Sequence, residues 1–138
     1  MKRGNEYPPK LLQILLADDD LDDCFLFKEA LNELALSTQL TTVYNGEELI
    51  ELFTTGIGQP FDVLFLDLNM PRKNGFACLE EIKLNEKWSY VPVIIFSTSF
   101  EKGTEASLYL KGALSCIQKP TDFLGLKKII QQALTLIP

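Results

Sequence analysis

Asp18 and Asp19 close the apolar run LLQILLA, Asp67 closes FDVLFL, and Lys119 closes LSCIQ with Pro120 directly after it. Ser97 ends a further run, VPVIIFS. If the three carboxylates meet, each pair at about 4 Å repels by roughly 4 kcal/mol at an effective dielectric near 20, so a cation must sit among them. A few hard oxygen donors that leave room for water and phosphoryl oxygens suit Mg2+ better than Ca2+. A carboxylate beside such an ion and a lysine can attack phosphorus, because the cations neutralise the equatorial oxygens, and the product is an aspartyl phosphate. In this chemistry Asp67, on a strongly hydrophobic run, is the nucleophile, Ser97 donates to a phosphoryl oxygen and Lys119 pairs with it as a point charge. Pro120 holds Lys119 extended and makes a cis peptide accessible before it.

Such residues meet only if the elements carrying them end side by side. The runs at 11–17, 61–67 and 91–97 are nearly continuous rather than alternating, as in strands buried on both faces. Shorter strands fit Gln39 to Val43 and Leu114 to Gln118. Between them the period turns helical, in Cys24, Phe27, Leu31 and Leu34 and in Phe76, Leu79 and Ile82. Asn45-Gly46 opens a helix through Leu49, Ile50 and Phe53, residues 102 to 111 make another, and Phe123, Leu126, Ile130, Ala133 and Ile137 stripe the last. Alternating strands and helices with right-handed crossovers predict an α/β fold, a flavodoxin-like (βα)5 doubly wound parallel sheet in strand order 2-1-3-4-5. That order sets Asp18, Asp19 and Asp67 at the switch point and brings Ser97 and Lys119 in from the next strands.

The 138 residues, 46% of them hydrophobic, make one domain at 11–138 behind a polar leader at 1–10. A net charge of -6 argues against nucleic acid as partner. Cys24, Cys78 and Cys116 are odd in number and lie within apolar patterns, which reads as reduced core thiols in a cytoplasmic protein. The acids after Ala17 spoil any signal-peptide reading, and no run reaches the roughly 18 apolar residues that would span a membrane.

Other readings of the acids compete. DDDLDD also suits a solvated cluster capping a helix. Asp18, Asp20, Asp22 and Glu29 fit four positions of an EF-hand loop, but Asp23 stands where its glycine belongs and a strand precedes it. A haloacid-dehalogenase-like phosphatase would use Asp18 as nucleophile and Asp20 as general acid, but needs a cap and a longer chain. A flavin module would lack its phosphate-cradling loop, and the acids would repel the flavin phosphate.

Taken together, LLADDD, LFLDLNMPRKNG, IIFSTS and QKP resemble, in order and spacing over residues 11 to 137, the receiver domain of bacterial two-component response regulators. The segment IKLNEKWSYVP and the STS are most similar to single-domain receivers that accompany phytochrome-type kinases. The resemblance implies that Asp18, Asp19, Asp67 and the backbone carbonyl of Asn69 hold Mg2+. It implies that Asp67 takes a phosphoryl group from a sensor histidine kinase or histidine phosphotransfer protein, and that Ser97 and Lys119 contact it. The chain would catalyse only its own phosphorylation and dephosphorylation, with Asn69 and Ser99 beside the water path. With the chain stopping at Pro138 and holding no histidine, output would pass to a downstream protein target or by onward phosphotransfer. The fourth helix, fifth strand and fifth helix would form the responsive face, which could also serve a homodimer; without phosphorylation the chain would be a degenerate receiver acting by binding. One position departs from the family: Cys116 stands where it usually has Tyr or Phe, with Tyr109 and Phe100 the nearest substitutes.

Overall fold

The computed structural model describes residues 11–56 and 60–138, so the leader expected at 1–10 lies outside the described residues. Five strands alternate with five helices: β1 (Leu12–Ala17), α1 (Leu21–Glu33), β2 (Thr38–Val43), α2 (Gly46–Thr55), β3 (Val63–Leu66), α3 (Gly75–Leu84), β4 (Val93–Ser97), α4 (Thr104–Leu110), β5 (Ser115–Gln118) and α5 (Phe123–Leu134). The strands are all parallel and lie in the order β2-β1-β3-β4-β5, the flavodoxin-like arrangement expected from the sequence.

Alternation along the strands splits the core into two layers. Ile14, Leu16, Val63, Phe65, Ile94 and Phe96 face α1 and α5, where they meet Phe27, Leu31, Leu126 and Ile130. Leu15, Ala17, Leu64, Leu66, Val93 and Ile95 face α2, α3 and α4, where they meet Leu49, Leu79, Ile82 and Leu108. Burial on both faces is why these strands read as unbroken apolar runs.

The runs overreach at their ends for a local reason. β3 starts at Val63 rather than Phe61, because the Asp62 carboxylate accepts from the Gln13 amide at 2.8 Å and the Asp62 amide donates to the Gln13 carbonyl. α5 ends at Leu134, short of the stripe that extends to Ile137, and α4 covers only Thr104–Leu110 of the span 102 to 111. No described peptide bond is cis, so Lys119–Pro120 is trans.

Asp20, Asn45, Asn74 and Asp122 cap α1, α2, α3 and α5, each side chain accepting from a backbone amide three residues on. α4 differs: Gly103 precedes it at φ 84 with no side-chain cap, and Leu108 is its one buried residue. At the free edge of β5 the Cys116 amide donates to the Tyr109 hydroxyl of α4 at 3.1 Å.

Candidate functional site

Backbone bonds between neighbouring strands fix where the site residues emerge. The Asp18 amide donates to the Val43 carbonyl at 3.1 Å, the Asp67 amide to Ala17 at 3.0 Å and the Lys119 amide to Ser97 at 2.7 Å. Each residue follows its strand and is pinned to the strand alongside, so all face the crevice at the carboxyl end of the sheet.

Glycine closes the loop beneath Asp67. A Cβ on Gly75 would overlap the Asp67 carbonyl oxygen and lie 2.8 Å from the Leu68 Cα, both backbone atoms that cannot swing aside, while the Gly75 amide donates to the Leu68 carbonyl. Gly75→Ala is therefore expected to lower stability by about 1–3 kcal/mol, as other overpacking changes do. A urea titration showing an unchanged midpoint would refute this.

Asp18, Asp67 and Ser97 are the three buried polar side chains among the described residues, and all three belong to this site. The Lys119 ammonium, 8% exposed, lies 2.6 Å from an Asp18 oxygen, 2.9 Å from Asp23 and 3.9 Å from Asp67, with the Phe96 ring 5.9 Å beneath it. Burial lifts the Asp18 carboxyl above its ordinary value against the pull of Lys119. Burial likewise raises Asp67 from 3.8 to about 6; Lys119 opposes the shift, and the negative charge of Asp18 adds to it. Burial would depress the Lys119 ammonium, but its bonds to Asp18 and Asp23 outweigh that and hold it above its usual value.

Asp18, Asp19 and Asp67 each bring a carboxylate oxygen within 4.8 Å of the others, the one such cluster among the described residues. Three hard donors, with Lys119 the one cation beside them among the described residues, fit a small divalent cation. Asp20, Asp22 and Glu29 join no such cluster, which removes the EF-hand reading. Asp20, which the phosphatase reading needs as general acid, instead caps α1 by accepting from the Asp23 amide at 3.0 Å. DDDLDD thus divides: Asp20 caps α1, while Asp18 and Asp19 join Asp67 in a carboxylate cluster.

Ser97 is fully buried and its hydroxyl donates to the Ser99 carbonyl at 3.2 Å. Asn69 donates from its amide toward Asp67 at 3.5 Å, and with Ser99 it borders a cleft of about 170 Å³. Cys24 and Cys78 are buried, with thiols pushed by burial up to about 12 and about 11, so neither supplies a nucleophile. Of the two aromatic substitutes for the Cys116 position, Tyr109 reaches the Cys116 amide, whereas Phe100 packs against the layer under α4.

Asp23 is the contact that sequence reasoning missed. It stands three residues after a capping aspartate, where an acid has a local use as the reciprocal partner of the cap. Only the strand order shows that Lys119, 96 residues away, lies beside it.

The response regulator receiver domain family matches residues 14–131. The chain belongs to this family. Among the relatives of this receiver domain, the DNA-binding transcriptional regulator NtrC of Klebsiella pneumoniae is 30% identical over 120 residues, which is 87% of this chain and 24% of NtrC. The receiver domain thus spans about a quarter of that relative's length. The crystal structure of the phosphorylated cyanobacterial phytochrome response regulator RcpA superposes with a TM-score of 0.84 at 26% identity, covering 90% of this chain and 91% of that one. The bacteriophytochrome response regulator AtBRR gives a TM-score of 0.74 at 26% identity, covering 89% and 92%. The resemblance to phytochrome-associated receivers noted in the sequence is borne out by these neighbours. No described helix is long and apolar enough to cross a membrane.

Proposed function

We propose that Asp67 is the phosphoacceptor of this response regulator receiver, taking its phosphoryl group from the phosphohistidine of a sensor histidine kinase or histidine phosphotransfer protein. The observation that carries the reading is the convergence of its three buried polar side chains with Lys119. Asp18, Asp19, Asp67 and the Asn69 carbonyl would hold Mg2+, which when bound would draw charge off the phosphoryl oxygens. An Asp67 oxygen attacks phosphorus, the O–P bond forms as the P–N bond breaks, and the electron pair leaves with the imidazole, which takes up a proton. Lys119 is near enough to shift from Asp18 towards a phosphoryl oxygen.

Ser97 then supplies the readout. Turning its hydroxyl to the phosphoryl group strips the Ser99 carbonyl of its donor and loosens the segment leading into α4. The chain acts on no other substrate: hydrolysis of its own aspartyl phosphate is the second reaction, and Asn69 and Ser99 at the cleft set its rate. Output passes through α4, β5 and α5 to a protein target, or onward to another histidine, and the same face serves any homodimer. The setting is the cytoplasm, where kinase and Mg2+ are at hand.

Intact mass after incubation with a small acyl phosphate tests the reading. A phosphoryl adduct on wild type with Mg2+, absent without Mg2+ and absent from Asp67→Asn, is expected. An equal adduct on Asp67→Asn would overturn the assignment, and none on either would leave a degenerate receiver that acts by binding.

A further inference from the structure

Asp23 has a vacancy in its expected local role. At the third position of a helix capped by Asp20, an acid ordinarily reaches back to the cap's own amide. Here that amide already donates to Asp18 at 3.0 Å. The Asp23 carboxylate points instead at the Lys119 ammonium, 2.9 Å away, while its backbone amide is held by Asp20. Lys119 has three protons to place. Two go to Asp18 and Asp23, and Asp67, at 3.9 Å, lies beyond hydrogen-bond reach.

Resting on Asp67 as phosphoacceptor, we propose that Asp23 is a positioning residue that restrains Lys119 on the α1 side of the site, so that the lysine engages an incoming phosphoryl group only when the Asp23 contact gives way. Asp23 is one-third exposed, whereas Asp18 is buried, so Asp23 is the partner on the solvent side. Its hold on Lys119 is the more open of the two to water and to an arriving partner. Asp23 thereby sets how readily the resting site accepts phosphoryl groups, without itself touching the reacting atoms.

Asp23→Asn keeps the size and removes the charge, Asp22→Asn removes a charge from the same helical turn without contact to Lys119, and Asp23→Glu restores the carboxylate. The first measurement is made without Mg2+ or phosphodonor: acetylation of Lys119 by limiting acetic anhydride, read by peptide mass. Asp23→Asn is expected to raise Lys119 labelling about fivefold over Asp22→Asn, the ratio that one partly exposed charge-assisted contact sustains, with Asp23→Glu returning towards wild type. The second is the rate of phosphoryl uptake from a small acyl phosphate with Mg2+, expected to rise about fivefold in Asp23→Asn relative to Asp22→Asn. Labelling no greater than in Asp22→Asn would overturn the proposal. So would greater labelling with equal or slower uptake, since Asp23 would then support Lys119 and not restrain it. An adduct on Asp67→Asn would sink the phosphoacceptor reading while leaving the labelling result intact, so the two failures are separable.

Discussion

Asp67→Asn, which should take up no phosphoryl group, is expected to fold more stably than wild type in metal-free buffer at pH 8. Asp67 is buried among Asp18 and Asp19, and ionising it there is unfavourable. Its proton is held in the folded protein up to about pH 6, against 3.8 for an ordinary aspartate. At this carboxyl the native state binds more protons than the unfolded chain between those two values, so its contribution to stability is full below about pH 4 and is lost as pH rises through 6. The loss amounts to about 3 kcal/mol at most, two pH units at roughly 1.4 kcal/mol each. Asparagine carries no charge to desolvate and should escape it. Urea unfolding of both proteins from pH 4 to pH 8 measures the difference, which should open on the alkaline side and shrink when Mg2+ is added. A difference between the two proteins that stayed constant over that interval would refute the electrostatic account.

Lys119→Met should do the reverse. The lysine is 8% exposed and is the cation within reach of Asp18, Asp23 and Asp67. Methionine matches its stem but leaves those carboxylates uncompensated in a buried site. Removing one partner of a buried ion pair typically costs about 3–5 kcal/mol, because the remaining charge is stranded. Metal-free Lys119→Met is accordingly expected to lose that much at pH 7, to regain most of it on acidification as Asp18 and Asp67 take up protons, and to be stabilised by Mg2+ more than wild type is. Phosphoryl uptake should fall about a hundredfold, as expected on losing one preorganised charge at a developing anion. A midpoint within experimental scatter of wild type would show that the carboxylates are already neutral or hydrated.

Both variants fall on residues that the sequence discloses. Asp67 and Lys119 were recoverable because each closes an apolar run, and a doubly wound sheet gathers strand ends at one crevice. Asp18, Asp19 and Ser97 follow from the same rule. The fold was legible because double-sided burial leaves unbroken apolar runs, and those misled only at their ends, as at Phe61 and Asp62, where a side chain pairs with Gln13 before the ladder begins. Asp23 was hidden for a different reason. It lies on a helix in a position that has an ordinary local explanation, and what gives it its partner is the packing of that helix beside a strand end distant in sequence. Tyr109 was named as one of two substitutes for the Cys116 position, and its bond to the Cys116 amide follows only from α4 packing on the sheet edge.

The helix nearest Ser97 is also the least firmly built. α4 has seven residues, too few to persist alone, with one buried side chain, no side-chain cap and a hydroxyl tether to an edge strand. By contrast α1 and α3 run to 13 and 10 residues, and each has four buried positions. Compliance in this molecule is therefore uneven, concentrated in one short element beside the buried serine, where a single broken hydrogen bond is a large fraction of what holds it. A stiff sheet with one yielding helix would channel a charge change at a strand end into that helix, and faster hydrogen exchange across α4 than across α1 or α3 would show it.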